Sequence, residues 1–467
     1  MVKMRYSLLK NYLSKEEAPK IRKELIKLAL PAMGENVLQM LFGMADTAFL
    51  GHYSWKAMSG VGLSNQIFWV VQVVLIAASM GVTVTVANAL GAGNRRALRT
   101  LAWNGIFLAL FTGLLLTALT MFSDGLLNIF PNLEDEIRDA AKEYLKIILS
   151  GSMGFSIMAV FSAMLRGLSD TRTPMIVTGV TNLLNIFLDY AMIFGKFGFP
   201  MWGVRGAAIA TVLSRFVGSA ILTFVIFKKE EFQLKRGYVF PTWSVQKEIL
   251  RVGFPTAIEN FVFSTGVLLF ANVLLMAGAE AYAGHRIGIN VESLSFMPAF
   301  GISVAITTLA GRYNGMGNRD HVLGVIRQGW ILSLLFQVTV GVIIFLFPEP
   351  LIRIFTSDPQ IVEIAKLPVK IIGLFQFFLA TEFTMNGALR GTGNTLPPMI
   401  ITFISIWAVR LPVAYVMVKY FDLGLLGAWI GMISDIVFRS TLKLAFFLSG
   451  KWEKRAALTR ERVKELG

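Results

Sequence analysis

Residues 28–36 read Leu-Ala-Leu-Pro-Ala-Met-Gly-Glu-Asn, and residues 252–260 read Val-Gly-Phe-Pro-Thr-Ala-Ile-Glu-Asn. Pro31 pairs with Pro255, Glu35 with Glu259 and Asn36 with Asn260, at a spacing of 224 residues (255 minus 31). The same spacing lays Gly93-Asn94-Arg95 on Gly317-Asn318-Arg319 and Leu165-Arg166-Gly167 on Leu389-Arg390-Gly391. It also lays Thr171 on Thr395, and Pro174-Met175-Ile176 on Pro398-Met399-Ile400. Separated matches at one spacing, in a chain of 467 residues, mean two homologous halves running in the same direction. In an apolar chain, such a duplication points to a transporter.

The chain is 55% hydrophobic and only 16% charged, with a mean hydropathy of +0.63. That is too apolar for a soluble protein of this length. Apolar stretches of about 20 residues recur, each long enough to cross a bilayer core of roughly 30 Å as a helix. The 42 glycines suit close helix packing in lipid. With no cysteine, the sequence offers no disulfide, thiolate metal site or Cys nucleophile. The net charge of +15 is explained by basic cytoplasmic loops, and no nucleic-acid partner is expected.

Twelve spans are expected, near 28–50, 60–87, 98–122, 143–164, 174–195, 205–227, 252–276, 282–309, 325–347, 364–388, 397–419 and 424–449. An even number per repeat keeps both halves in one orientation. The expected fold class is therefore all-α integral membrane, with twelve transmembrane helices in two parallel six-helix repeats forming two lobes. The chain divides into an N-terminal arm (1–27), an N-lobe (28–227), a polar linker (228–251), a C-lobe (252–449) and a tail (450–467). The arm mixes basic and apolar residues and is expected to lie on the inner membrane surface rather than act as a cleaved signal. Basic residues gather on one side: Lys3 to Lys27, then Arg95, Arg96, Arg99, Arg166, Arg172, Lys228, Lys229, Lys235, Arg236 and the tail. Opposite loops carry Asp124, Glu134, Glu349 and Asp358. This asymmetry puts both termini in the cytoplasm of a cell with the protein in its inner or plasma membrane. Pro31, Pro174, Pro255 and Pro398 are expected at helix starts.

No Gly-x-x-x-x-Gly-Lys-Ser/Thr phosphate loop is present, so nothing suggests ATP hydrolysis. The three histidines, His52, His285 and His321, lack metal spacing. Gly-Ala-Gly-Asn at 91–94 and Gly-Met-Gly-Asn at 315–318 read as tight turns between helices rather than as nucleotide loops, which would need a preceding strand.

What remains is charge inside the membrane, where an ionisable group is costly unless it faces a partner or a cavity. Glu35 and Asp46 are separated by close to three helical turns and share a face with Gln39, roughly 16 Å apart in depth. Asn182, Asn185 and Asp189 form one stripe in the fifth span. Glu259, Asn260 and Asn272 lie in the seventh span, Glu292 in the eighth and Glu382 in the tenth. Asp435 and Arg439 read as a structural i, i+4 pair, and Arg410 as a partner for a carboxylate. Arg166 and Arg390 are accounted for by helix C-capping and positive-inside anchoring. The acids of the first and fifth spans have no evident basic partner in those helices, which fits a cation or proton site.

Met44-Ala45-Asp46-Thr47-Ala48-Phe49-Leu50-Gly51, Leu90-Gly91-Ala92-Gly93-Asn94, the paired loops Leu165–Thr171 and Leu389–Thr395, and Glu292–Pro298 resemble signatures of the MATE family, the multidrug and toxic compound extrusion transporters. The resemblance implies two six-helix lobes forming a V around a central cavity, and cation-coupled export. Asp46, Asn185 and Asp189 match the polar N-lobe site of the DinF-like branch, and Glu259 matches the acidic position of NorM-like and eukaryotic members.

The expected function is efflux of a small amphipathic, often cationic, organic compound by antiport against inward H⁺ or Na⁺. The protein would act as a monomer in the lipid bilayer, without a cofactor. Asp46 and Asp189 would bind the ion, with Asn185 orienting it. Desolvation favours the neutral form of an acid, which suits proton loading; carboxylate and amide oxygens equally suit Na⁺. Glu35, Glu259, Glu292 and Glu382 are further acidic candidates, and Gln39, Asn182 and Asn260 candidate cavity residues. A flippase for a lipid-linked oligosaccharide would need a cationic cavity, whereas the candidates here are mostly acidic. An intramembrane enzyme would need clustered aspartates or a Ser–His pair, and neither is evident. A channel would not need acids concentrated in one lobe.

Overall fold

The computed structural model describes residues 5–8, 10–128, 133–234 and 239–466. Lys3, Lys235 and Arg236 lie outside the described residues. Among those described the chain is helical, with no strand. The first half forms α1 (Glu17–Tyr53), α2 (Trp55–Val71), α3 (Val73–Gly91), α4 (Arg95–Ala118), α5 (Ser123–Leu127), α6 (Asp135–Ser150), α7 (Ser152–Gly167), α8 (Arg172–Phe194) and α9 (Gly203–Lys228). The second forms α10 (Trp243–Met276), α11 (Ala279–Gly315), α12 (Arg319–Leu346), α13 (Pro348–Arg353), α14 (Pro359–Leu374), α15 (Gln376–Gly391), α16 (Leu396–Ser405), α17 (Leu411–Lys419), α18 (Gly424–Leu448) and a tail helix, α19 (Trp452–Glu465).

The duplication is visible helix by helix. Moving α6 and α7 forward by 224 residues lands on α14 and α15 end for end. The turns repeat as well. Gly93 and Gly317 take left-handed backbone angles (φ 66° and 76°), which glycine adopts without strain. Asn94 and Asn318 then cap α4 and α12, accepting from the N–H of Ala97 and His321. These are the helix-joining turns read from the sequence. One span differs between halves: α2 and α3 break at Gln72, whereas α11 runs unbroken through the equivalent region.

Nine of the described helices are long and apolar enough to cross a membrane, and α6 with α7, bent by 53°, reads as a tenth span. The two expected spans that fall short are α1 and α14–α15. They carry Glu35, Asn36, Gln39 and Asp46, and Gln376, Glu382, Asn386 and Arg390. Polar side chains that lower a helix's hydropathy are the same side chains that can carry function.

Pro31 and Pro255 correct an expectation. Both lie inside continuous helices, α1 and α10, rather than at helix starts. The polar stretches before them are helical too, so the span begins earlier than its apolar run. Pro174 and Pro398 do sit in the first turns of α8 and α16. The chain packs into two compact units: Gly34–Phe254 with Arg462–Gly467, and Met1–Met33 with Pro255–Glu461. They are called the N-lobe and C-lobe below. All three junctions fall within a helix, two of them next to Pro31 and Pro255 and the third in α19.

The N-lobe core gathers Val82, Val86, Leu101, Phe161 and Leu165, with a second cluster around Leu145, Leu149 and Ile193. The C-lobe core joins Leu25 and Leu28 to Ile302, Leu309 and Leu389, with a second cluster around Val369, Trp429 and Ile436. In lipid, close backbone approach and interhelical hydrogen bonds replace much of the hydrophobic drive. Thr83 Oγ1 donates to the Ala163 carbonyl and Thr307 Oγ1 to the Gly387 carbonyl, both at 3.2 Å, one repeat apart. A Cβ on Gly391 would meet the Thr307 carbonyl oxygen at 2.4 Å, so glycine is needed at that crossing.

Candidate functional site

In the N-lobe, α1 and α8 meet through Asn182 Nδ2, which donates to the Leu38 carbonyl at 3.1 Å, and through Phe49 against Tyr190 and Phe194. This packing buries Asp46 on α1 beside the Asn182, Asn185 and Asp189 stripe of α8. Asp46 lies within electrostatic reach of Asp189. Asn185 Nδ2 donates to Thr211 Oγ1 of α9 at 3.4 Å. The hydroxyl of Tyr144 on α6 lies within hydrogen-bonding reach of Thr211 and of Asn65 on α2. Residues from five helices thus converge, and Asp189 is wholly buried (0% exposed).

Five acceptors at this convergence have no donors. Asp46 Oδ1, Asn182 Oδ1, Asn185 Oδ1 and both carboxylate oxygens of Asp189 are buried without a hydrogen-bond partner. No ion pair reaches Asp46 or Asp189 among the described residues. Native proteins seldom leave one such atom unpaired, because each costs several kcal/mol in an apolar medium. Protons on the carboxylates, or a cation held by carboxylate and amide oxygens, are the chemistry that would satisfy such a group of acceptors. Among the described residues no group of three or more His, Cys, Asp or Glu is placed to hold a metal ion.

The other acidic candidates are placed differently. Glu35 accepts from Arg166 Nη1 at 3.2 Å, and one repeat later Glu259 accepts from Arg390 Nη2 at 2.7 Å. The capping account of the two arginines is therefore incomplete: each reaches across its lobe to the acid of the repeat motif. Glu259 also accepts from Thr402 Oγ1 (3.0 Å) and Lys443 Nζ (3.3 Å). Lys443 further holds Glu382 at 2.7 Å, Arg439 Nη1 reaches Glu382 at 3.3 Å, and Asp435 binds both Arg439 and Arg410 at 2.9 Å. The Asp435–Arg439 pair and the carboxylate partner of Arg410 are as the sequence suggested. Glu292 is buried within electrostatic reach of Arg410 and Arg439. Asn260 donates to the Thr256 carbonyl of its own helix, and Gln39 is exposed.

Lys443, Tyr144 and Thr211 were not singled out from the sequence. Lys443 had a signal: Asp435, Arg439 and Lys443 recur every four residues, one charged stripe on α18. Tyr144 and Thr211 had none, because single polar residues in apolar helices are common.

A family model described as MatE matches residues 31–191 and 255–416, one stretch per repeat. Over 464 residues the chain is 86% identical to the Thermotoga maritima protein named "Probable multidrug resistance protein NorM", covering 99% of this chain and all of that one. It is 28% identical over 421 residues to the multidrug resistance protein MdtK of Yersinia pseudotuberculosis, covering 88% of this chain and 92% of that one. Among solved structures it superimposes with a TM-score of 0.84, at 23% identity and 96% coverage of both chains, on a multidrug resistance MATE family transporter of the MOP superfamily in its outward-facing conformation. A MOP superfamily transporter from Pyrococcus furiosus gives the same values. Fold and matches define a multi-pass membrane transporter, not an enzyme. The chain belongs to the MatE family.

Proposed function

We propose that the protein exports small amphipathic, often cationic, organic compounds in exchange for inward movement of H⁺ or Na⁺. The observation that carries this reading is the set of five buried, donorless oxygens on Asp46, Asn182, Asn185 and Asp189. A transporter of multidrug-resistance relatives needs an energy source, and the chain carries no nucleotide-binding loop. An exchangeable cation at these oxygens supplies one. Asp46 and Asp189 bear the charge, Asn185 turns its amide oxygen towards the ion while Thr211 holds its Nδ2, and the apolar surroundings keep bulk water away. Filling the site lowers the uncompensated charge in the lobe, so the loaded and empty forms favour different conformations. Organic substrate and ion then bind in alternation.

The basic loops orient the protein with both termini in the cytoplasm, and the 228–251 segment joins the repeats on that side. Each of the four cationic side chains clustered in the C-lobe already faces a carboxylate, which leaves no free cationic cluster there for a lipid pyrophosphate.

The test is export of ethidium by the reconstituted protein under an imposed pH gradient, an imposed Na⁺ gradient, or neither. The proposal expects accumulation against the dye gradient under at least one of the two. Equal, merely equilibrating flux in all three would contradict antiport.

A further inference from the structure

The side chain of Lys443 is completely buried (0% exposed) in the C-lobe. Its ammonium lies 2.7 Å from Glu382 Oε1, 2.9 Å from Asn386 Oδ1, 3.2 Å from Thr402 Oγ1 and 3.3 Å from Glu259 Oε1. These four oxygens come from α10, α15 and α16, and two belong to carboxylates. An ammonium has three protons to donate, so four acceptors surround it as a shell rather than pair with it one to one. Carboxylate, amide and hydroxyl oxygens converging from separate helices are the ligand set of a hard cation.

We infer that the C-lobe contains a cation cage whose occupant is the chain's own Lys443. That residue closes the lobe to exchangeable cations and thereby determines which lobe takes the coupling ion. The first clause stands on the C-lobe geometry; the second rests on the N-lobe reading above. Four acids, Glu259, Glu292, Glu382 and Asp435, face four bases, Arg390, Arg410, Arg439 and Lys443. Without Lys443, Glu259 and Glu382 each lose one cationic partner.

The repeat supplies an internal comparison. One repeat earlier, Lys443, Glu382 and Asn386 correspond to Ser219, Met158 and Ser162, so the N-lobe has no cage there. One repeat later, Asp46, Asn182, Asn185 and Asp189 correspond to Phe270, Ile406, Val409 and Val413, so the C-lobe has no acids there. The lobes share the Glu–Arg pair and have diverged around it, one towards an open site and the other towards a filled one.

The experiment uses the full chain carrying Asp46→Asn and Asp189→Asn, so that the N-lobe contributes no cation binding. In that background Lys443 is kept, or changed to Met or Ala. Thermal unfolding is followed in NaCl, KCl, NH₄Cl or methylammonium chloride against choline chloride at constant ionic strength. The parent should respond to none of the small cations. Lys443→Met and Lys443→Ala should show a saturable rise of the midpoint with at least one of them, lost again when Glu382→Gln is added. If the Lys443 variants fold only when a small cation is present during purification, the cage is likewise supported. Folded variants without a saturable cation effect, variants that no small cation rescues, or a parent that already responds would each overturn the inference. Because every variant lacks the N-lobe acids, failure of the ion-coupling proposal leaves these outcomes unchanged, and failure of the cage leaves the outcome of wild-type dye export unchanged.

Discussion

Asp46 and Asp189 differ from most of the other intramembrane acids in that no ion pair reaches them among the described residues. Glu35, Glu259, Glu382 and Asp435 are all ion-paired. The pairs respond differently to truncation. Arg166→Ala leaves Glu35 buried without its partner and is expected to destabilise the protein by about 3 kcal/mol. Arg390→Ala should cost less, because Lys443 and Thr402 still hold Glu259. Thermal unfolding of the two variants checks the order; equal losses would mean that the extra partners contribute nothing. In the loop before α8, burial works to raise the carboxyl of Asp170, but Lys229 at 2.8 Å and the Thr173 N–H and hydroxyl outweigh it and hold the group below its ordinary value. A depressed folded-state value means stability that is present above about pH 4 and lost as pH falls through the lowered value. Asp170→Asn should therefore lower the unfolding midpoint by about 2–4 °C at pH 7, with the difference from wild type shrinking below about pH 4. A difference that persists unchanged in acid would exclude this ion pair as its source. The acids were legible in the sequence because charge is rare in apolar helices. Apart from the local Asp435–Arg439 pair and the carboxylate partner of Arg410, their partners were not: Arg166 and Glu35 lie 131 residues apart, and only tertiary structure separates a paired acid from an unpaired one.

At the scale of the helix, Pro31 and Pro255 are the recurrent irregularity. Pro31 has no N–H to offer the Lys27 carbonyl, and Pro255 none for that of Arg251, so each helix is weakest where the compact units exchange. Pro31→Ala restores the missing donor in the interior of α1. It is expected to raise the unfolding midpoint, since an interior proline costs about 3 kcal/mol against alanine, and to slow dye export. Unchanged export with a higher midpoint would show that the proline plays no part in transport. Helix starts were misread here for a definite reason. Apolar periodicity marks where a span enters the bilayer, whereas α1 and α10 begin in polar sequence that continues the same helix. The Gly-Asn turns were read correctly because left-handed glycine and an asparagine cap are local chemistry.

At the scale of the molecule, the duplication supplied the frame and its exceptions supplied the function. The 224-residue spacing anticipated paired helices and paired turns; the Glu35–Arg166 and Glu259–Arg390 contacts repeat at the same spacing but emerged only in the structure. It also isolated Asp46 and Asp189, which face Phe270 and Val413 one repeat later. In the C-lobe, by contrast, Glu259, Glu382 and Asp435 are ion-paired with Lys443 and three arginines. The central claim is that cation exchange at Asp46 and Asp189 drives export. It is tested most directly by reconstituting Asp46→Asn and Asp189→Asn separately and measuring ethidium transport under the gradient that drives the wild type. Each variant should remain folded by size-exclusion chromatography and lose gradient-driven accumulation by at least about tenfold, equivalent to about 1.4 kcal/mol of lost coupling. Full accumulation by both variants would contradict the account.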